Sequence, residues 1–215
     1  MTVQSSNSEI GAGSGLTMAR RIRWIALAMI AAALFASAFA SASTTDGGAK
    51  NVVIAQARTD GASKSRSSVQ VAPVGGNTVG AENLAVAKST DCRNCHSYAI
   101  AAQAVLVTSN PTTVAPHNLA SASNAGCTSC SSYAYAYQYV VSTGGPARLS
   151  TAGRAALHDI RNRIAAVTAS KLGPYEMTIK LDALTARFKS VIDNNLIASG
   201  GNPNGTTTRN VRLGP

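Results

Sequence analysis

One stretch of this chain is written twice. Asn83-Leu84-Ala85-Val86-Ala87 leads into Cys92-Arg93-Asn94-Cys95, then into Ser97-Tyr98-Ala99-Ile100-Ala101-Ala102-Gln103-Ala104-Val105. Thirty-five residues on, with no insertion, Asn118-Leu119-Ala120-Ser121-Ala122 leads into Cys127-Thr128-Ser129-Cys130 and Ser132-Tyr133-Ala134-Tyr135-Ala136-Tyr137-Gln138-Tyr139-Val140. Thr108 and Pro111 are matched by Thr143 and Pro146. A register kept this closely reads as two copies of one structural unit, 83–111 and 118–146. All four cysteines of the chain lie inside the copies.

The period of the side chains sets the local structure. Tyr133, Tyr135, Tyr137 and Tyr139 alternate with Ala134, Ala136 and Gln138, the two-residue period of a strand. Ala and Gln favour helix, but the alternation points to a strand, or a strand-turn-strand unit, in each copy. Upstream, Asn51 to Gln56 and Ser68 to Val74 carry β-branched residues, with Thr59-Asp60-Gly61-Ala62-Ser63 between them, which predicts a β-hairpin. Gly75-Gly76-Asn77 ends its second strand. Past Gly144-Gly145-Pro146 the texture becomes helical. Ser150 is a candidate N-cap, and Leu157, Ile160, Ile164 and Val167 follow at helical spacing. Leu172-Gly173-Pro174 breaks that pattern. Met177, Leu181, Leu184, Phe188, Val191 and Ile192 then mark a second amphipathic helix, so a helical hairpin capping the sheet is expected. The fold class predicted is α+β: a β-hairpin, two repeated C-x-x-C units, and a C-terminal helical hairpin.

The N-terminus reads as an export signal. Arg20, Arg21 and Arg23 precede the apolar run Trp24 to Phe35, and Ala38-Phe39-Ala40 and Ala40-Ser41-Ala42 are small-x-small cleavage sites. The predicted organisation is a signal peptide over 1–42 and a disordered linker over 43–50. A β-rich domain over 51–146, the helical hairpin over 147–198 and a disordered tail over 199–215 follow. A secreted or cell-envelope location is expected, with membrane contact only through an uncleaved leader. Loss of Arg20, Arg21, Arg23 and Glu9 with that leader lowers the formal charge from +10 to +8. Such a charge favours an anionic envelope component, or a protein partner of matching charge. The basic residues are scattered singly, so no nucleic-acid partner is expected.

Cys92, Cys95, Cys127 and Cys130 admit four chemistries. An even cysteine count in an exported chain implies disulfides, with three pairings open: 92–95 with 127–130, 92–127 with 95–130, or 92–130 with 95–127. Cys92-Arg93-Asn94-Cys95-His96 also spells a c-type haem attachment motif, in which His96 is the iron ligand and Met177, His117 or His158 the second axial one. Ser131 stands where His96 stands in the other copy, which argues against that use. Two C-x-x-C knuckles are a possible four-cysteine zinc set, though the thirty-one residues between them exceed the usual spacing. Thiol exchange requires a thioredoxin-like frame that the pattern does not contain. Disulfides are therefore expected, with no metal and no cofactor; haem c on Cys92, Cys95 and His96 is the alternative. Gln103 and Gln138 recur in step and are expected to bond across a pseudo-twofold interface, and the tyrosine row to pack one unit on the other. No Ser/His/Asp order, paired carboxylates or phosphate loop stands out, so no catalysis is expected.

The stretch from about Asn51 to Val167 resembles an uncharacterised family of exported actinobacterial proteins. The likeness rests on Asn83 to Ala87, on Thr59-Asp60-Gly61, on both cysteine modules with their A-x-A-x-Q-x-V continuation, and on Thr143-Gly144-Gly145-Pro146. Similar segments occur in proteins labelled peptide zinc metalloproteases, but this chain has no H-E-x-x-H. His96 and the chain after Val167 depart from the family pattern. The resemblance implies export and lends no activity. The function expected is that of an exported, disulfide-stabilised structural or interaction domain.

Overall fold

Alternating burial marks the strands, and their partners define the architecture. The computed structural model of this 215-residue chain describes residues 47–170, 172–200 and 203–214. The stretch read as a leader, 1–42, lies outside the described residues. β1 (Gly47–Ala57), β3 (Thr78–Thr90) and β5 (Thr113–Ala125) form one parallel sheet in the order β1-β3-β5. β2 (Ser63–Val74), β4 (His96–Val107) and β6 (Ser131–Ser142) form a second parallel row facing it. Parallel neighbours need a long crossover. Here each strand of one sheet serves as the crossover of the other, so the chain winds as a short β-solenoid of three rungs.

Register places like beside like. Asn83 lies opposite Asn118, Leu84 opposite Leu119, Tyr98 opposite Tyr133 and Gln103 opposite Gln138. The first rung obeys the same rule, with Asn51 opposite Asn83 and Gln70 opposite Gln103. The expected hairpin over residues 51–74 is therefore corrected. β1 and β2 belong to different sheets, and Thr59-Asp60-Gly61 makes an arc between facing sheets. In-register pairing with β3 and β4, which a lone hairpin would lack, decides the outcome.

Small side chains bring the two sheets close. Val53, Ala55, Ala85, Ala87 and Ala120 on one side meet Ala99, Ala101, Ala134 and Ala136 on the other. Such a core buries little apolar area per residue, and polar rows run through it. Asn51 donates to Asn83 Oδ1 at 2.8 Å, and Asn83 donates to Asn118 Oδ1 at 2.8 Å. Asn83 Nδ2 also crosses to the backbone oxygens of Ala101 at 3.1 Å and Tyr137 at 3.0 Å in the opposite sheet. Gln138 donates to Gln103 Oε1 and Gln103 to Gln70 Oε1, each at 2.9 Å. Gln103 and Gln138 thus bond to each other as expected, but as part of a ladder along the stack with Gln70, and the expected twofold relation between them is corrected.

The tyrosine row faces away from this core, under the helices. α1 (Thr151–Ala169) is capped by Ser150, whose Oγ accepts from Gly153 N–H at 3.0 Å. α2 (Pro174–Asn195) follows, with proline in its first turn. Leu157, Ile160 and Ile164 of α1 and Met177, Leu181 and Phe188 of α2 bury against Ile100, Leu106, Tyr133, Tyr135, Tyr137 and Tyr139. The tyrosines therefore do not pack one unit on the other, because rungs stack edge to edge and present their outer faces to a third layer.

Two predicted disordered stretches carry strands. β1 begins at Gly47, inside the stretch read as linker. Residues 199–215 contain β9 (Asn204–Leu213), antiparallel to β6, which closes the third-rung edge of the second sheet. Gly205 permits the approach, since a Cβ there would stand 2.5 Å from the Tyr139 ring. The short strands β7 (Ala147–Leu149) and β8 (Leu196–Ala198) pair at the foot of the helical hairpin. Among the described residues the class is mixed α+β with nine strands and two helices. None of those helices is long and apolar enough to cross a membrane.

Candidate functional site: the cysteine stack

The arcs of the second and third rungs carry the cysteines. Asp91 and Asn94 in one arc, and Gly126 and Ser129 in the other, hold φ between 52° and 62°. Two left-handed residues at matching places give the two C-x-x-C turns the same course. Glycine suits the positive φ at 126, and a Cβ there would meet Asp91 Oδ1 at 2.3 Å, so the Asp91 side chain would have to turn aside. Arg93 and Thr128 form a parallel bridge between the arcs. Asn94 N–H donates to Thr128 O at 2.9 Å and Ser131 N–H to Cys95 O at 2.8 Å. The first-rung arc closes the other side, with Gly61 N–H on Arg93 O at 2.8 Å and Arg93 N–H on Asp60 Oδ1 at 2.8 Å.

Stacking the arcs brings the sulfurs of Cys92, Cys127 and Cys130 within 4.8 Å of one another. Cys92 and Cys95 are joined in a disulfide, and Cys127 and Cys130 are thiols. Cys127 Sγ lies 3.8 Å from Cys92 Sγ, and Cys130 Sγ lies 3.3 Å from the Cys92 carbonyl oxygen. Cys92 and Cys95 are 3% and 0% exposed, while Cys127 and Cys130 are half-buried. Partial burial, and after it the neighbouring Cys127 thiol, push the Cys130 thiol above its ordinary range. It is therefore protonated at neutral pH and a poor nucleophile as it stands. Of the three pairings, the disulfide present is the within-turn 92–95 bond.

His96 opens β4 beside this cluster. Its ring stacks on Tyr98 with centroids 6.4 Å apart, and its buried Nδ1 has no hydrogen-bond partner among the described residues. Thioether attachment of haem requires both cysteine sulfurs to face a common open space. Here Cys95 Sγ sits 3.2 Å from Thr59 O and Cys92 Sγ faces Cys127, so arcs cover the pair from both sides. Met177 is buried in the helix–sheet core. His117 registers with Glu82 on the outer face of the first sheet. His158 lies on the exposed side of α1 near Asn162.

A second feature went unread in the sequence. The outer face of the first sheet carries the row Val52–Leu84–Leu119 beside Ile54–Val86. Val52, Ile54 and Leu119 are 38%, 52% and 44% exposed. Its signal was apolar residues at both parities of 52–54 and 84–86, since a strand buried on one face alone should alternate. Lys50 and Glu82 pair at 3.0 Å at the end of this face. Comparison with protein-family models, with curated proteins and with solved structures returned no match.

Proposed function

We propose that this chain is an exported, disulfide-stabilised structural or interaction domain of the cell envelope or extracellular space, without catalysis of its own. The observation that carries the reading is the convergence of all four cysteines on two stacked arcs, one pair already bonded. The Asn and Gln side chains at the heart of the molecule bond to one another and to backbone rather than converging on a cleft. The apolar rows on the outer face of the first sheet offer a surface for a protein partner, and the surplus of basic residues suits an anionic envelope component. The resemblance to exported actinobacterial proteins supports the same compartment.

Intact mass of the exported protein, before and after alkylation without reductant, tests this. The expected result is an N-terminus between Phe39 and Ser43 and four cysteines that resist alkylation until reduced. Modification of all four thiols in freshly exported protein would overturn the disulfide reading. A mature chain beginning at Met1 or Met18 would overturn export by cleavage. Loop length sets the stability involved. A bridge closing a four-residue C-x-x-C turn contributes about 2 kcal/mol, against about 4 kcal/mol for one closing the roughly 36-residue loop between rungs. Cys127→Ser is expected to lower stability by about 2 kcal/mol if the bridges are within turns.

The electron-carrier reading, with haem c on Cys92, Cys95 and His96, is favoured by one observation, the unpartnered Nδ1 of His96. Its test is the colour and mass of protein exported from a host that attaches haem. A colourless chain without a mass increment that survives denaturation leaves the structural reading standing alone.

A further inference from the structure

We propose that the reduced form of the cysteine stack is a tetrathiolate site for a soft d10 divalent cation, zinc in the first instance. The inference uses the same four residues as the structural reading but not their oxidised state, so either can fail without the other. The sulfurs of Cys92, Cys127 and Cys130 all lie within 4.8 Å of one another. A tetrahedral zinc with Zn–S bonds of about 2.3 Å sets its ligand sulfurs about 3.8 Å apart. The Cys92–Cys127 separation is 3.8 Å, so this pair already spans one edge of that tetrahedron. Cys95, bonded to Cys92, supplies the fourth sulfur once the bridge opens.

The spacing objection to zinc disappears in this fold. The thirty-one residues between the knuckles, with the four of one knuckle, make one circuit of the solenoid, and the register returns Cys127 beside Cys92. Both knuckles turn through left-handed residues at the same places, Asp91 and Asn94 in one, Gly126 and Ser129 in the other, so both take the same course and their cysteines stack rung on rung. The first-rung arc shields one side, and the half-buried Cys127 and Cys130 leave an approach from the third.

The chemistry balances with a named reductant. A dithiol transfers two electrons and two protons to the Cys92–Cys95 bond and becomes a cyclic disulfide. The four thiols then bind one zinc ion and release four protons, which makes binding tighten with rising pH. In the reverse direction two equivalents of a small-molecule disulfide accept the four electrons, with four protons, and leave as four thiols, while both within-turn bridges close and the ion is released. The same stack thus has two closed states, cystine outside the cell and metal-thiolate in a reducing compartment.

The test is titration of the full chain, reduced by a dithiol and then freed of it under inert gas, with cobalt(II) followed by zinc(II). The expected result is one cobalt per chain with the intense visible bands and sulfur charge-transfer absorption of a tetrahedral tetrathiolate, erased by one equivalent of zinc. Cys95→Ser and Cys130→Ser should each shift those bands and weaken zinc by more than the roughly 10–100-fold that an outer-shell change produces. His96→Ser should leave them unchanged. Retention of less than one metal ion per reduced wild-type chain against a chromophoric chelator would overturn the proposal. So would equal binding by the oxidised chain, or an unshifted spectrum in Cys95→Ser. Because the wild type alone separates the first two outcomes, a variant that fails to fold does not rescue the idea.

Discussion

Asn83 sits at the centre of the asparagine row and is fully buried. Its amide nitrogen lies within 2.8 to 3.1 Å of three oxygens, on Asn118, Tyr137 and Ala101, while its own oxygen accepts from Asn51. Removing it strands groups on both sheets, and each buried unmet group costs about 1–3 kcal/mol. Asn118, at the end of the row, is only half-buried and shares its contacts with β9 through Thr208 O and Asn210. Asn83→Ala is therefore expected to destabilise by about 3 kcal/mol or more, and Asn118→Ala by about 1 kcal/mol. Urea midpoints at constant m-value measure both, and equal losses would mean that the row does not act as a connected network. At this scale the sequence was partly legible. The recurrence of Asn83 with Asn118 and of Gln103 with Gln138 was visible. Their companions Asn51 and Gln70 were hidden, because the first rung is offset by 32 residues in one sheet and 33 in the other, against 35 for the next. Shorter connections on both sides of β2, by one residue before it and two after it, broke the period that revealed the other two copies.

Helix α2 lies along β6, and simple lengths show how the two match. Tyr133 Oη bonds Thr178 at 2.9 Å, Tyr135 Oη donates to Asp182 at 2.8 Å, and Tyr139 Oη donates to Asp193 at 2.6 Å. Tyr133 to Tyr139 spans about 20 Å of strand, and Thr178 to Asp193 about 22 Å of helix, so both elements run the same way. Tyr137, between them, meets Phe188 edge-on at 6.4 Å. Burial pushes Tyr133 and Tyr137 from the ordinary value of 10.0 up to about 12, and Tyr135 further still. The folded state thus holds these phenolic protons more tightly than the unfolded chain does. Their contribution is fully present below about 10, where both states are protonated, and is lost as pH rises towards about 12. Denaturation midpoints should fall across that window together with a rise in phenolate absorbance. A midpoint that stays flat to pH 12 would place the hydroxyls in water. The helices were legible because their 3.6-residue stripes and the Ser150 cap are local signals. β9 was not, because Asn204 to Leu213 is polar and becomes a strand only by pairing with the β6 edge.

A stack of parallel rungs has two ends, and each is a template for another chain. The third rung is closed on the second sheet by β9. Among the described residues β5 has no strand paired beyond it, and Pro116 places a residue that cannot donate in that edge. At the first rung, β2 carries Pro73, and Arg161 of α1 donates to Val69 O at 3.0 Å. Two further residues guard that end. Arg66 stands in register with Ala99, and Ala99 with Ala134; Lys64 stands in register with Ser97, and Ser97 with Ser132. These positions share the inward face of Gln70, so charge replaces the small residues that let rungs and sheets close up. An incoming rung would have to bury both cations without partners, which is prohibitive. With the tyrosine face under the helices as well, the protein is expected to be monomeric at micromolar concentration. The double substitution Lys64→Ser with Arg66→Ala writes the second-rung residues onto the first. It should leave the fold intact, since both side chains are exposed, and should produce end-to-end association that grows with concentration. Light scattering on the two proteins decides the matter. A stable wild-type oligomer would show that the end is already occupied by a copy, and a monomeric double variant would show that Pro73 and Arg161 suffice without the charges.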